Sequence, residues 1–176
     1  SGWDNVLFRL GGQLLVRAPR RQIAAALIEH EQKWLPELAP KLPIEVPVPV
    51  RAGTPTDFYP WQWSILPWFA GRCADEAAVA DDQATRFAEF LLALHQPAPA
   101  AAPENPVRGV PLTVRLENTL ERMVRVREQT DLITPAIEHT WQAALAAPES
   151  NERRWLHGDL HAQNVLVSGD GEICAV

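Results

Sequence analysis

The chain has 176 residues, 47% of them apolar and 22% charged, which is enough for one folded domain or two small lobes around a cleft. Its net charge of −6 is uneven, at +1 over residues 1–50 and −7 over residues 51–176. An acidic body lacks the basic footprint that a nucleic acid demands, and no run of about 18 apolar residues is present to span a membrane, so neither is expected as a partner.

Two runs rich in branched residues, Val6 to Leu10 and Gln13 to Ala18, read as strands. Gly11-Gly12 between them suits a two-residue type I′ turn, which needs positive φ at both positions, and Pro19 is expected to end the second strand. From Gln22 to Leu35 the period turns helical, with Ile23, Leu27, Ile28, Trp34 and Leu35 on one stripe. Glu31 falls on or beside that stripe, where a carboxylate must find a cation or reach water. Pro36, Pro40 and Pro43 are expected to close the helix, and Pro47 and Pro49 among valines read as extended chain.

The aromatic stretch from Trp61 to Phe69 reads as a buried strand running into a connector at Gly71. Its tryptophans suit a core first and a ligand shelf second. Asp81 and Asp82 can cap a helix reaching about His95, with Phe87, Phe90, Leu91 and Leu94 facing inward. Five prolines between residues 97 and 111 mark a loop or linker, and Leu112 to about Arg127 and Ile133 to about Ala146 read as two further helices. Strands followed by helices predict an α+β architecture with a small sheet-rich lobe and a helical lobe. Cys73 and Cys174 lie far apart without metal-ligand spacing, as expected of two reduced thiols in a cytoplasmic protein; the start SGWDN carries no signal-peptide pattern.

The segment His157-Gly-Asp-Leu-His-Ala-Gln-Asn164 reproduces the spacing H-x-D-L-x-x-x-N. Phosphoryl transfer explains it: an aspartate orients the attacking hydroxyl, and an asparagine five residues on holds magnesium beside the phosphates. A capped turn with a bonded His–Asp pair is the plainer alternative. A hairpin signal follows, with Val165 to Ser168 and Glu172 to Val176 flanking Gly169-Asp-Gly171.

HGDLH followed by Asn resembles the catalytic loop of the aminoglycoside phosphotransferases, small-molecule kinases with a protein-kinase-like two-lobed fold. The resemblance implies a small N-terminal antiparallel sheet lobe with one helix (residues 1–68, hinge included) and a mostly helical, incomplete C-terminal lobe (69–176) carrying the catalytic loop 157–164. It implies Asp159 as catalytic base, Asn164 as a magnesium ligand and His157 as a structural residue of the loop. Gly158 stands where protein kinases use an arginine to sense a phosphorylated activation loop. Ser1 to Asn5 resembles the turn that covers nucleotide phosphates. Arg17 takes the place of the usual phosphate-binding lysine, with Arg20 and Arg21 as alternates, and Glu31 that of its helix partner. Ile65, Leu66 and Trp68 belong to the implied hinge for the base, and Ala162 replaces a common proline.

The implied cofactors are ATP or GTP with Mg²⁺, and the implied reaction moves a γ-phosphoryl group to a hydroxyl of a small molecule such as an aminoglycoside-like antibiotic. Kinases of choline, homoserine or a thio-sugar share the same loop, and a nucleotide-binding module without chemistry is a third reading; no obligate protein partner is implied. The family's domain also extends past both ends of this sequence. Its first strand is mostly missing, and an Ile-Asp-Phe-Gly-Asp-like segment bearing a second metal-binding aspartate is expected after Val176, so residues 1–176 alone are not expected to catalyse.

Overall fold

In the computed structural model, residues 4–105, 107–148 and 152–176 are described. Asn5–Leu10 (β1) and Leu14–Pro19 (β2) pair antiparallel, Leu10 opposite Leu14 and Asn5 opposite Pro19. That register leaves a three-residue loop, Gly11 to Gln13, in which Gly11 alone has positive φ (62°), so the expected two-residue type I′ turn is replaced. Gln13 lies in the loop, and its carbonyl accepts the Trp68 N–H at 2.8 Å, next to the Leu14–Pro67 pairing. Pro19 closes β2 from within the strand. The next strand pairs with β2 only as far as Arg17, so no ladder bond is asked of the proline on that side.

Helix α1 spans Gln22–Leu38 and runs through Pro36 instead of closing there. The missing N–H costs one ladder bond, but the chain beyond the proline packs Ala39 and Leu42 on the core. The buried stripe is Ala24, Ala25 and Ile28, while Ile23 and Leu27, expected inward, are exposed. Small residues let the helix approach the sheet closely, which turns its bulkier neighbours outward. Strands Arg51–Gly53 (β3) and Trp63–Pro67 (β4) complete an all-antiparallel sheet in the order β1-β2-β4-β3.

A second sheet, in the order β5-β6-β7, joins Arg72–Cys73 (β5) to the hairpin of Leu166–Val167 (β6) and Ile173–Ala175 (β7), as the turn signal at residues 169–171 foretold. Between them in sequence lies helix α2, Gln83–Leu94. Phe90 and Leu94 are buried and Phe87 and Leu91 pack beside them, as their spacing predicted. Asp82 occupies the N-cap without forming a capping bond. The buried Gln83 does the tethering there, its Oε1 accepting the Ile173 N–H at 3.1 Å. One core cluster of Ile44, Val46, Phe90, Leu94, Val165 and Ile173 results, closed by a bond from the Val176 N–H to the Glu45 carbonyl at 2.9 Å.

All of these elements belong to one compact unit, residues 1–96 with 155–176; residues 97–154 form another. In that second unit the proline-rich segment has neither helix nor strand among its described residues. A short 3₁₀ turn at Leu112–Arg115 leads into α3, Leu116–Gln129, and α4 spans Pro135–Ala146, so the two expected helices are present. Thr134 caps α4 by accepting the Ile137 N–H, and an Arg127–Glu138 ion pair joins the helices. Among the described residues no helix is long and apolar enough to cross a membrane.

Candidate active site

The loop preceding β6 is anchored at both ends. Trp155 packs on Trp34 of α1, ring centroids 5.1 Å apart, and Val165 is buried in the core. Between these anchors Gly158 turns the chain at φ 80°, a conformation that a side chain would strain. The Asp159 N–H is directed at His157 Nδ1 at 3.3 Å, and a 3₁₀ turn at Ala162–Asn164 brings Asn164 back towards Asp159. Asn164 Nδ2 donates to the Asp159 carbonyl at 2.8 Å and lies 3.4 Å from Asp159 Oδ2. The carboxylate and the carboxamide therefore converge, and the Asp159 side chain remains about half exposed.

On the first sheet, Arg17 of β2 forms an ion pair with Glu31 of α1, which answers how a carboxylate beside an apolar stripe is accommodated. Arg17 Nε and Asn5 Oδ1 are buried with no hydrogen-bond partner among the described residues, so polar capacity at this end of the sheet is unspent. Residues 1–3 of the expected phosphate-covering turn lie outside the described residues. Electrostatics tie the pair to the loop: burial lowers the pKa of His157, the charges of Asp159 and Glu31 oppose that shift, and His161 adds to it. Arg21, one of the alternates, is held by Asp4 at 3.4 Å.

Along β4 and just beyond it the backbone is partly committed. The Ile65 carbonyl accepts from the Val50 N–H at 2.8 Å, and the Trp68 N–H serves Gln13. Leu66 is buried; Trp68 is partly exposed, with the Arg9 guanidinium 3.6 Å from its ring centroid. Three residues to which the sequence reading gave no role also shape the site. Gln32 donates to the Trp63 carbonyl at 2.8 Å and to Ser64 Oγ at 3.1 Å, locking α1 to β4. Arg9 stacks on Trp68, and the ring of His161 lies against Asn164. Of these only His161 was readable, since it falls three residues before Asn164.

With its nitrogen turned to the Asp159 carbonyl, Asn164 presents an amide oxygen that accepts no hydrogen bond from the described residues, a hard donor of the kind magnesium takes. Among the described residues no cluster of three His, Cys, Asp or Glu could hold a metal unaided. That donor set fits magnesium held by one or two protein oxygens together with phosphates, and not a dedicated protein cage.

A small antiparallel sheet whose strand arginine pairs with a helix glutamate, followed by this loop and its hairpin, defines a protein-kinase-like fold. The sequence profile of the phosphotransferase enzyme family, APH, matches residues 1–176, and the chain belongs to that family. Among solved structures it is similar to the GDP complex of aminoglycoside 2′-phosphotransferase-IIIa (20% identity, TM-score 0.68, covering 100% of this chain and 63% of that one). It is also similar to the apoenzyme of macrolide 2′-phosphotransferase MphH from Brachybacterium faecium (25% identity, TM-score 0.57, 99% and 62%). A third is the ternary complex of streptomycin, ATP and APH(2″)-IIa (18% identity, TM-score 0.56, 100% and 62%). The chain thus spans less than two thirds of the length of these relatives. No curated protein matches it.

Proposed function

We propose that the protein of which this chain forms the described part transfers the γ-phosphoryl group of ATP or GTP to a hydroxyl of a small molecule. The observation that carries this reading is the convergence of the Asp159 carboxylate and the Asn164 carboxamide on one exposed face of the loop. In this reading Asp159 orients the acceptor hydroxyl and takes its proton as the bond to phosphorus forms. Asn164 Oδ1 holds Mg²⁺, which when bound supplies charge neutralisation at the phosphates. Arg17, fixed by Glu31, offers its guanidinium to the phosphates, and Asn5 closes over them. Ile65, Leu66 and Trp68 shape the base-binding strip. The lobe boundary at 68/69 is the functional division we adopt.

For the acceptor we favour an aminoglycoside-like antibiotic, because a charge of −7 over residues 51–176 suits a polycation. A macrolide is the second reading, favoured by the 25% identity to a macrolide phosphotransferase. The test is nucleotide turnover by the full-length protein against aminoglycosides, macrolides and metabolite alcohols, with Asp159→Ala as control. That substitution is expected to lower kcat by about 10²–10⁴ while leaving nucleotide affinity intact. Full turnover by the variant would remove Asp159 from the role.

A further inference from the structure

Arg17 on β2 and Ser64 on β4 stand directly opposite each other, and the pairing of the two strands ends at this rung. Opposed side chains of an antiparallel pair leave the sheet on the same face, about 5 Å apart at Cβ. Both reach α1, and they meet consecutive residues there. Arg17 pairs with Glu31, and Ser64 Oγ accepts from Gln32 Nε2 at 3.1 Å. The same nitrogen donates to the Trp63 carbonyl at 2.8 Å. A carbonyl can only accept, so this contact decides which end of the Gln32 amide faces the strand. We propose that Gln32 is a positioning residue that clamps α1 to β4, so that Glu31 stays in reach of Arg17 and aims its guanidinium at the nucleotide phosphates. The inference rests on the reading of Arg17 as the phosphate-binding cation.

A partly exposed ion pair between two long side chains holds a helix loosely, because both can follow a roll or slide. A second contact one residue on removes that freedom. Consecutive helical residues point roughly 100° apart, so a roll that favours Glu31 on β2 draws Gln32 away from β4. Apolar packing is less exacting, since it has no direction. Ala24, Ala25 and Ile28 bury the helix earlier, and Trp34 and Leu35 pack beyond the pair. Ser64, by contrast, is only 1% exposed, and a hydroxyl so placed needs its partner in one direction. The rung that carries Arg17 is therefore tied to α1 twice, once by charge and once by a directed amide.

The experiment is calorimetric titration of the full-length protein with an imido analogue of ATP or GTP in the presence of Mg²⁺. Adenosine or guanosine, which lack phosphates, are titrated in parallel. Gln32→Met keeps the side-chain length and loses both donors. It is expected to weaken analogue binding about three- to tenfold and to leave nucleoside binding within about twofold of the parent. Combined with Arg17→Ala, it should change analogue binding by less than about twofold, because the cation it aims is gone. Ser64→Ala removes one acceptor with little change of volume, and should show the same pattern at about two- to threefold. Parental analogue affinity in Gln32→Met, or in Ser64→Ala where Gln32→Met does not fold, would overturn the proposal. So would an equal loss for the nucleoside, which would assign Gln32 to the base strip, or a loss that persists undiminished without Arg17. Arg17→Ala separates the two levels. If it weakens analogue binding while Gln32→Met does not, the positioning role alone fails; if it leaves binding unchanged, the phosphate reading of Arg17 fails and takes the inference with it.

Discussion

Arg17 presents a planar fork where kinases of this pattern commonly present a point charge, and one edge of the fork is already engaged by Glu31. The pair is only partly shielded, at 18% and 31% side-chain exposure, so its net contribution to stability is small; in the proposed role it aims the guanidinium at the phosphates. Arg17→Ala is therefore expected to weaken nucleotide binding roughly tenfold or more, as loss of a charge-assisted bond does, and to reduce turnover in parallel. Calorimetric titration of nucleotide checks it; unchanged affinity would shift the role to Arg20 or Arg21. At this scale the sequence was most informative at the H-x-D-L-x-x-x-N spacing: Asp159 and Asn164, five apart, have side chains that converge as the spacing predicted. The Arg17–Glu31 pair, fourteen apart, was legible only through the family pattern. Which nitrogen of His161 faces which neighbour depends on the 3₁₀ turn, and no spacing rule reports that.

Elements were legible where their periodicity runs long. Helix α2 followed its period, and the short β6–β7 hairpin was read from its Gly169-Asp-Gly171 turn signal, whereas β3 and β5, three and two residues long, offer no period to read. Helix α1 passes Pro36 because packing beyond the proline outweighs one lost bond, a tertiary effect invisible in the local sequence. Gly53 has the same kind of hidden reason. A Cβ there would fall 2.0 Å from the Trp63 indole across the β3–β4 pair, so the ring lies flat over bare backbone. Gly53→Ala should cost about 1–3 kcal/mol by overpacking, measured as a lower denaturant midpoint at unchanged slope. An unaltered midpoint would mean that the indole moves aside freely.

For the molecule as a whole, pH enters through His157. Burial lowers its folded pKa below the ordinary value of about 6.5, against the opposing charges of Asp159 and Glu31 and with the help of His161. The unfolded chain then binds more protons than the folded one in the interval from that lowered value up to about 6.5. Stability due to this group is complete above the interval and is lost as pH falls through it. Melting temperatures of the parent should drop over this range more steeply than those of His157→Gln, and parallel curves would exclude His157 as the source.

The first compact unit is assembled from two stretches of chain separated by residues 97–154, and its core has Ile44, Val46 and Phe90 from one stretch and Val165 and Ile173 from the other. Such contacts close long loops and form slowly. A ribosome releasing this polypeptide exposes the earlier apolar faces well before their later partners emerge. Nascent chains halted before Trp155 should accordingly be favoured clients of chaperones that grip greasy surfaces, with release coming only once the β6–β7 hairpin is out.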